Sequence, residues 1–296
     1  MKIDIVLLTW NDPDVTLACL QQIESWRPPQ SRVWIVDNGS TLPFPKATTA
    51  ATVIRNEKNL GFSGGVNSAF RQLIPLHSDA VLLLNTDVVL SPKDANALLE
   101  CFEAHPEIAA MSPLLCETDG DTKTRYAGSR NIGRHVATRC KAYARSTADH
   151  PDVLPAAYLS GTAFLCRTTV FKTIGFLDER FFFSGEIADL CHRIALSNQT
   201  CAVCTTSTIV HDLAQKEHQR SSVHVYYALR NRFLFVRIHE SFGARLALTA
   251  FWLAVGMAMV VQSTLKGNGI KSRSALKAIR DGVSGQYGDR NANLPL

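Results

Sequence analysis

Val81-Leu82-Leu83-Leu84 is a run of apolar residues without polar alternation, and Asn85-Thr86-Asp87 follows at once. A short continuous run of this kind reads as a strand buried on both faces, the state of a strand in a parallel sheet covered by helices. In such a sheet ligands sit beyond the carboxyl ends of the strands, so the amide, hydroxyl and carboxylate stand at the edge where chemistry is done. A carboxylate there can hold a divalent cation, and the cation can neutralise a diphosphate. Taken alone, the stretch is equally well a polar turn that ends a strand and caps the next helix.

The chain before it follows the same pattern. Residues 3 to 8 are a buried strand, and Asp12-Pro13 offers an N-cap and a first-turn proline. Val15, Cys19, Ile23 and Trp26 then recur at helical spacing up to Pro28-Pro29. Val33-Trp34-Ile35-Val36 is a second strand ending in Asp37-Asn38-Gly39-Ser40. Asn-Gly can close a hairpin. Here the apolar run is continuous and a helix precedes it, so strand, helix and strand form a right-handed parallel unit. Ala51 to Ile54 is a third short strand. Asn59-Leu60-Gly61-Phe62-Ser63-Gly64-Gly65-Val66-Asn67 leads into a helix carrying Val66, Phe70 and Leu73. A glycine-rich entry lets a ligand approach backbone N–H groups at a helix N-terminus. It is not a dinucleotide fingerprint, which would follow the first strand, and it lacks the Gly-Lys-Ser/Thr of a P-loop.

Downstream, Ser91-Pro92 starts a helix with Leu98, Leu99 and Phe102, and Ala109 to Leu115 reads as a strand. Residues 117 to 155 are polar with weak periodicity, an excursion able to reach over a ligand. Tyr158 to Cys166 reads as a strand broken by Ser160-Gly161-Thr162, where glycine marks close approach of a ligand or a backbone. A helix beginning near Ser184 sets Glu186 and Asp189 on one face, with Arg193 one turn beyond Asp189. Glu186 falls in the first turn, where the helix dipole favours a negative charge. Cys201 to Val210 holds two short apolar runs, and His211 follows directly. Cys201-Ala-Val-Cys204 has metal or redox spacing, but it stands alone in a strand-like run and reads as core filling. Residues 218 to 240 form a basic, aromatic helix. Leu246 to Val261 is almost wholly apolar, at about sixteen residues just short of the usual spanning length of about twenty. Lys266, Lys271, Arg273, Lys277 and Arg280 follow without an acid among them. That pairing suggests a helix dipping into the inner leaflet of a membrane. A buried helix at a homo-oligomer interface is the other reading.

Composition sets the outer limits. The chain has 296 residues, 46% of them hydrophobic, enough for one large domain or one domain with an appendage. The net charge of +5 is spread out until the C-terminal end and does not imply nucleic acid. Met1 to Leu8 carries an acid and too short an apolar run for a signal peptide. The eight cysteines form no small-domain framework and read as buried thiols of a cytoplasmic protein.

Taken in order, Val36-Asp37-Asn38-Gly39-Ser40, the Asn59 to Asn67 run, Leu84-Asn85-Thr86-Asp87, Ser160-Gly161-Thr162 and Asp178-Glu179 through Arg193 resemble a family 2 glycosyltransferase of the bacterial rhamnosyltransferase-like branch. The resemblance covers residues 1 to 237. It implies a single Rossmann-like A-type glycosyltransferase domain, α/β with a mostly parallel central sheet. The nucleotide-binding half would span about residues 1 to 115 and the acceptor half about 116 to 237, leaving 238 to 296 as a helical, basic extension. It also implies inverting transfer from a nucleotide sugar, dependent on Mg2+ or Mn2+, to a glycan or lipid-linked acceptor at the inner face of the plasma membrane. The first donor to expect is dTDP-rhamnose and the second a UDP-hexose.

The same resemblance assigns the site. Asp37 would bond the nucleobase, and Thr9 and Asn11 would border the nucleotide. Asn59, Gly61, Gly64 and Asn67 would lie near the diphosphate and sugar, with Asn85 and Thr86 beside them. Asp87 matches the last position of a metal-binding Asp-X-Asp-like motif, Asn85 standing where other members have Asp, and His211 matches a metal-ligating histidine. Tyr226-Tyr227 followed by Arg230-Asn231-Arg232 is similar to that branch's C-terminal helix.

One position departs from the family. Members usually carry Glu-Asp-X-Asp or Glu-Glu-X-Asp on the acceptor-side helix, and the second acid is the usual base. Here the run is Glu186-Ile187-Ala188-Asp189, and Ile187 cannot accept a proton. Glu186 is the expected base, because the first helical turn faces the cleft while Asp189 is within reach of Arg193; Asp189 is the other catalytic candidate. The alternative is a catalytically impaired nucleotide-sugar-binding or scaffold protein of the same fold. A nucleotidyltransferase would need a glycine-rich basic loop after the first strand, which Leu8-Thr9-Trp10-Asn11-Asp12 is not.

Overall fold

The structure, a computed structural model, describes residues 1–45, 51–119, 122–126, 152–212 and 220–294. Most of the polar excursion read over 117 to 155 lies outside the described residues.

The parallel units form as the apolar runs require. β1 (Ile3–Thr9), α1 (Pro13–Glu24), β2 (Arg32–Asp37), β3 (Thr52–Arg55), α2 (Gly61–Leu73) and β4 (Ala80–Leu84) come first, with β1 parallel to both β2 and β4, and β2 parallel to β3. There follow β5 (Val88–Val89), α3 (Pro92–Ala104), β6 (Ile108–Asp119), β7 (Thr122–Tyr126), β8 (Val153–Pro155), β9 (Ala163–Arg167), α4 (Thr168–Ile174), α5 (Glu186–Leu196) and β10 (Thr200–Asp212). The chain continues into α6 (Arg220–His239), α7 (Phe242–Leu265) and α8 (Gly269–Ser284). The sheet order is β3-β2-β1-β4-β9-β6-β10-β5. It is mixed and mostly parallel: β9 runs antiparallel between β4 and β6, while β6 and β10 are parallel.

Alternate side chains on each strand enter opposite faces of the sheet. Ile3, Ile5 and Leu7 join Cys19, Ile23, Leu98 and Phe102 under α1 and α3. Val6, Val36, Val81 and Leu83 join Phe70, Phe171 and Leu190 under α2, α4 and α5. Helices thus cover both faces of the sheet.

Two readings change in detail. The strand read over 158 to 166 starts at Ala163, and Ser160-Gly161-Thr162 is the turn at its entry. Because β9 is antiparallel to β4, that turn sits at the carboxyl end of β4, where the Asn85 amide donates to the Thr162 carbonyl at 2.9 Å. The two apolar runs over 201 to 210 are one strand, β10, with a register shift between Cys204 and Thr208.

α6, α7 and α8 pack on one another around Tyr226, Tyr227, Phe233, Trp252 and Ala278. At Gly256 a Cβ would meet Ile279 at 2.8 Å and Leu229 at 3.1 Å, so the glycine permits the close crossing of the three helices. α7 has 24 residues, longer than its apolar run, because the helix takes in Phe242 to Arg245 and Gln262 to Leu265. Its length of about 36 Å follows from the rise per residue. Only Trp252 and Gly256 of it are buried.

Candidate functional site

At the carboxyl edge of β4, Asn85, Thr86 and Asp87 are each half-buried. The two-residue strand β5 turns back antiparallel to β10, with His211 registered against Val88. That pairing sets His211 Nε2 at 3.4 Å from Asp87 Oδ2, across 124 residues of sequence. A carboxylate oxygen suits Mn2+ or Mg2+, and the imidazole nitrogen favours Mn2+ over the harder Mg2+; both cations usually take further ligands from phosphate oxygens and water. The described residues contain no group of three or more His, Cys, Asp or Glu able to hold a metal. A cation held by this pair would therefore complete its shell from a bound ligand.

At the carboxyl end of β1, the Thr9 hydroxyl accepts from Thr16 at 2.8 Å, and Asn11 accepts from the Thr41 amide at 2.7 Å. Asn11 has φ of 57°, and its own amide donates to Ser40 Oγ at 2.9 Å, tying the β1 edge to the loop after β2. Asp37 is fully buried and accepts from the Ser40 and Phe44 amides and the Arg55 guanidinium. Burial acts to raise its pKa, yet the bonds from Ser40, Phe44 and Arg55 together hold it below the ordinary carboxylate value. The guanidinium of Arg55, not the carboxylate, is the exposed part of this pair.

The glycine-rich segment differs from the sequence reading. α2 begins at Gly61, so the glycines lie inside the helix and not ahead of it. Its first amides are already used: Leu60 donates to Asn38 Oδ1 at 3.1 Å and Gly61 to Asn59 Oδ1 at 2.8 Å. Phe62 and Ser63 both donate to the Phe182 carbonyl, at 2.6 and 3.4 Å. The donors expected to face a ligand thus cap a carbonyl of the turn before α5. The glycines serve that approach. Gly61 has φ of 73°, and a Cβ there would lie 2.3 Å from the Phe182 oxygen. At Gly64 a Cβ would meet Leu60 Cβ at 2.8 Å, and at Gly65 it would meet Leu8 Cδ1 at 2.5 Å. Asn67 is buried and spends its amide on Leu177, donating at 2.9 Å and accepting at 3.2 Å, and on Glu179 at 2.9 Å. The hub of this network is Asn38, which the sequence did not single out. It donates to Asn59 Oδ1 and the Gly61 carbonyl, and accepts from Asn56 and Leu60.

Beyond β9, Glu186 opens α5 and is buried, and its Oε2 has no hydrogen-bond partner among the described residues. Burial pushes its carboxyl up to about 7; a bond from its own amide opposes this and the charge of Asp189 adds to it. Asp189 is engaged on both oxygens. Arg193 donates to Oδ2 at 2.9 Å, and His239 of α6 lies 2.8 Å from Oδ1. Ile187 packs in the apolar cluster under α5, and its Cγ1 would be 3.0 Å from a Cβ on Gly161. The glycine of Ser-Gly-Thr thus accommodates a neighbouring side chain. His239 was invisible in sequence, lying fifty residues from Asp189.

Residues 4–175 match the family described as Glycosyl transferase family 2. The chain is 25% identical over 235 residues to the N-acetylglucosaminyl-diphospho-decaprenol L-rhamnosyltransferase of Mycobacterium tuberculosis, covering 71% of this chain and 75% of the relative. Its structure is similar to that of mannosyltransferase PcManGT from Pyrobaculum calidifontis in complex with GDP-Man and Mn2+, with a TM-score of 0.59 and 12% identity over 96% of this chain and 87% of that one. It is also similar to GalNAc-T7 with UDP, GalNAc and Mn2+, with a TM-score of 0.62 and 14% identity over 78% of this chain and 47% of that one. At these identities the structural likeness establishes the fold.

Proposed function

Because the chain belongs to glycosyl transferase family 2, and is a glycosyltransferase, we propose that it transfers a sugar from a nucleoside diphosphate donor to a lipid-linked acceptor, with inversion and with a divalent cation. The observation that carries this reading is the convergence of Asp87 and His211 at the carboxyl edge of the sheet. These two residues would hold the cation, whose charge would neutralise the departing diphosphate.

The rest falls to the protein's own groups. The acceptor hydroxyl must lose its proton as its oxygen bonds to the anomeric carbon and the bond from that carbon to the diphosphate breaks. A base is most effective with a pKa near the working pH. Glu186, pushed up to about 7 and with one oxygen unpartnered among the described residues, meets that condition. Asp189 has both oxygens engaged, by Arg193 and His239. In-line attack on the free face of the sugar inverts the centre in one step, with no sugar–enzyme bond. dTDP-rhamnose is the first donor to test and a UDP-hexose the second; the rhamnosyltransferase relative supports that order and a lipid diphosphate acceptor.

The chemistry is assigned to residues 1 to 237, and 238 to 296 to a membrane seat on the inner leaflet. An 18-residue stretch of α7 has a mean hydropathy of 1.8, and the helix exposes Phe242, Leu246, Met257, Val261 and Leu265. Residues 241 to 280 contain no Asp or Glu, so a second copy on this face would set cation against cation, whereas anionic lipid would be attracted. Ile187 motivates a second reading, a binding protein without turnover, which product formation separates from the first.

Calorimetric titration with UDP and with dTDP, each with and without Mn2+ or Mg2+, tests the assignment. Metal-dependent binding of one nucleotide, lost in Asp87→Ala, is expected. Binding of neither under any metal condition would overturn the donor site.

A further inference from the structure

The turn that precedes Glu186 is built against its own backbone preferences. Phe182 has φ of 60°, Ser184 of 69° and Gly185 of 101°. Left-handed conformations at non-glycine residues persist only where the surroundings over-determine them. Here the surroundings can be named carbonyl by carbonyl. Arg230 Nη2 donates to the carbonyls of Arg180 at 3.2 Å and Phe181 at 2.9 Å. Asn231 Nδ2 lies within 2.9 Å of the carbonyls of Phe181 and Phe183, and at 2.5 Å from that of Ser184. The remaining carbonyl, Phe182, caps α2. Every carbonyl from Arg180 to Ser184 therefore has a donor.

Both donors are buried, Arg230 at 0% exposure and Asn231 at 3%. Arg230 Nε donates to Asn231 Oδ1 at 2.8 Å and so fixes which way the amide faces. Its guanidinium also donates to the Gly288 carbonyl at 2.7 Å and lies over the rings of Tyr226, Tyr227 and Tyr287, 4.8 to 5.7 Å from their centroids. A buried guanidinium spent on backbone carbonyls and aromatic faces serves geometry more than charge pairing.

We propose that Arg230 and Asn231 are positioning residues for proton transfer: from α6 they lock the Arg180–Gly185 turn in its left-handed form, and the turn sets both the start of α5 at Glu186 and the cap on α2. The inference rests on the reading of Glu186 as base.

The test uses the full chain carrying Asn231→Ala. Hydrogen exchange at the Phe62 and Ser63 amides reads the turn without reference to catalysis, since Asn231 touches neither. Their protection should fall at least about tenfold. With dTDP-rhamnose and a lipid-linked acceptor, kcat should fall about 100-fold while donor KM and dTDP affinity stay within about twofold, the pattern of a displaced catalytic group. Adding Ser184→Gly, which relaxes the turn's backbone strain, should recover about tenfold of the loss. If Asn231→Ala does not fold, Arg230→Lys, which keeps the charge and loses the fork, should show the same pattern. Unchanged exchange at Phe62 and Ser63 would overturn the proposal, as would proportional losses of dTDP affinity and kcat without rescue. If exchange rises and Glu186→Gln transfers sugar at the parent rate, the clamp stands and the assignment of the base falls.

Discussion

Replacing Glu186 by glutamine should make the protein's stability less dependent on pH, in a direction the site fixes. Burial lifts the Glu186 carboxyl from 4.5 to about 7. The folded state thus binds this proton more tightly than the unfolded chain does. Its contribution is fully present below the unfolded pKa, declines as pH rises through the window between the two values, and is gone above the folded one. The separation corresponds to about 3 kcal/mol, at 1.36 kcal/mol per unit. Glutamine fills the same space without titrating. The stability of Glu186→Gln minus that of the parent should therefore widen by about 2 to 3 kcal/mol between about pH 5 and about pH 8. Urea denaturation at several pH values in that range measures it, and other titrating groups cancel in the difference. Parallel pH profiles for parent and variant would refute the buried, protonatable carboxylate, and with it the basis for choosing Glu186 as base.

Further outcomes follow from the same geometry. Gly61→Ala combines φ of 73° with a Cβ 2.3 Å from the Phe182 oxygen; it should cost about 2 to 4 kcal/mol in denaturation, and a loss below about 1 kcal/mol would contradict the tight capping of α2. Ile187→Asp places a carboxylate in the apolar cluster under α5; it should lower stability by about 3 kcal/mol or more and leave sugar transfer no faster than the parent, whereas faster turnover would show that the family's usual base position is still usable. Lys266, Arg273 and Arg280 are exposed on the α7–α8 side. Replacing all three by glutamine should weaken sedimentation with phosphatidylserine vesicles about 100-fold at low salt; an unchanged partition would point to a protein partner for this face.

Much of the framework was legible because it rests on local signals. The apolar runs of β1, β2 and β4 have no polar alternation, and Ser91-Pro92 does cap α3, Ser91 Oγ accepting from the Asp94 amide at 3.1 Å. The Asp189–Arg193 pair follows from helical spacing alone. What escaped depends on contacts between distant segments. β5 has two residues, too few for any periodicity, yet it is what brings His211 to Asp87. The glycines of Gly61 to Gly65 read in sequence as room for a ligand or as a flexible loop. The position of Phe182, more than a hundred residues on, makes Gly61 packing space, and Leu60 and Leu8 do the same for Gly64 and Gly65. Asn231 and His239 act on the turn before α5 and on Asp189 across similar separations, and nothing near them in sequence marks those roles.

The most direct test is transfer itself. The purified protein would be incubated with radiolabelled dTDP-rhamnose, N-acetylglucosaminyl-diphospho-decaprenol and Mn2+, beside Asp87→Ala and Glu186→Gln, and the lipid product extracted and counted. A labelled lipid from the parent, reduced at least about 100-fold in each variant, is the predicted result. Label at the parent rate in Glu186→Gln, or none in the parent while dTDP binds with Mn2+, would contradict the mechanism.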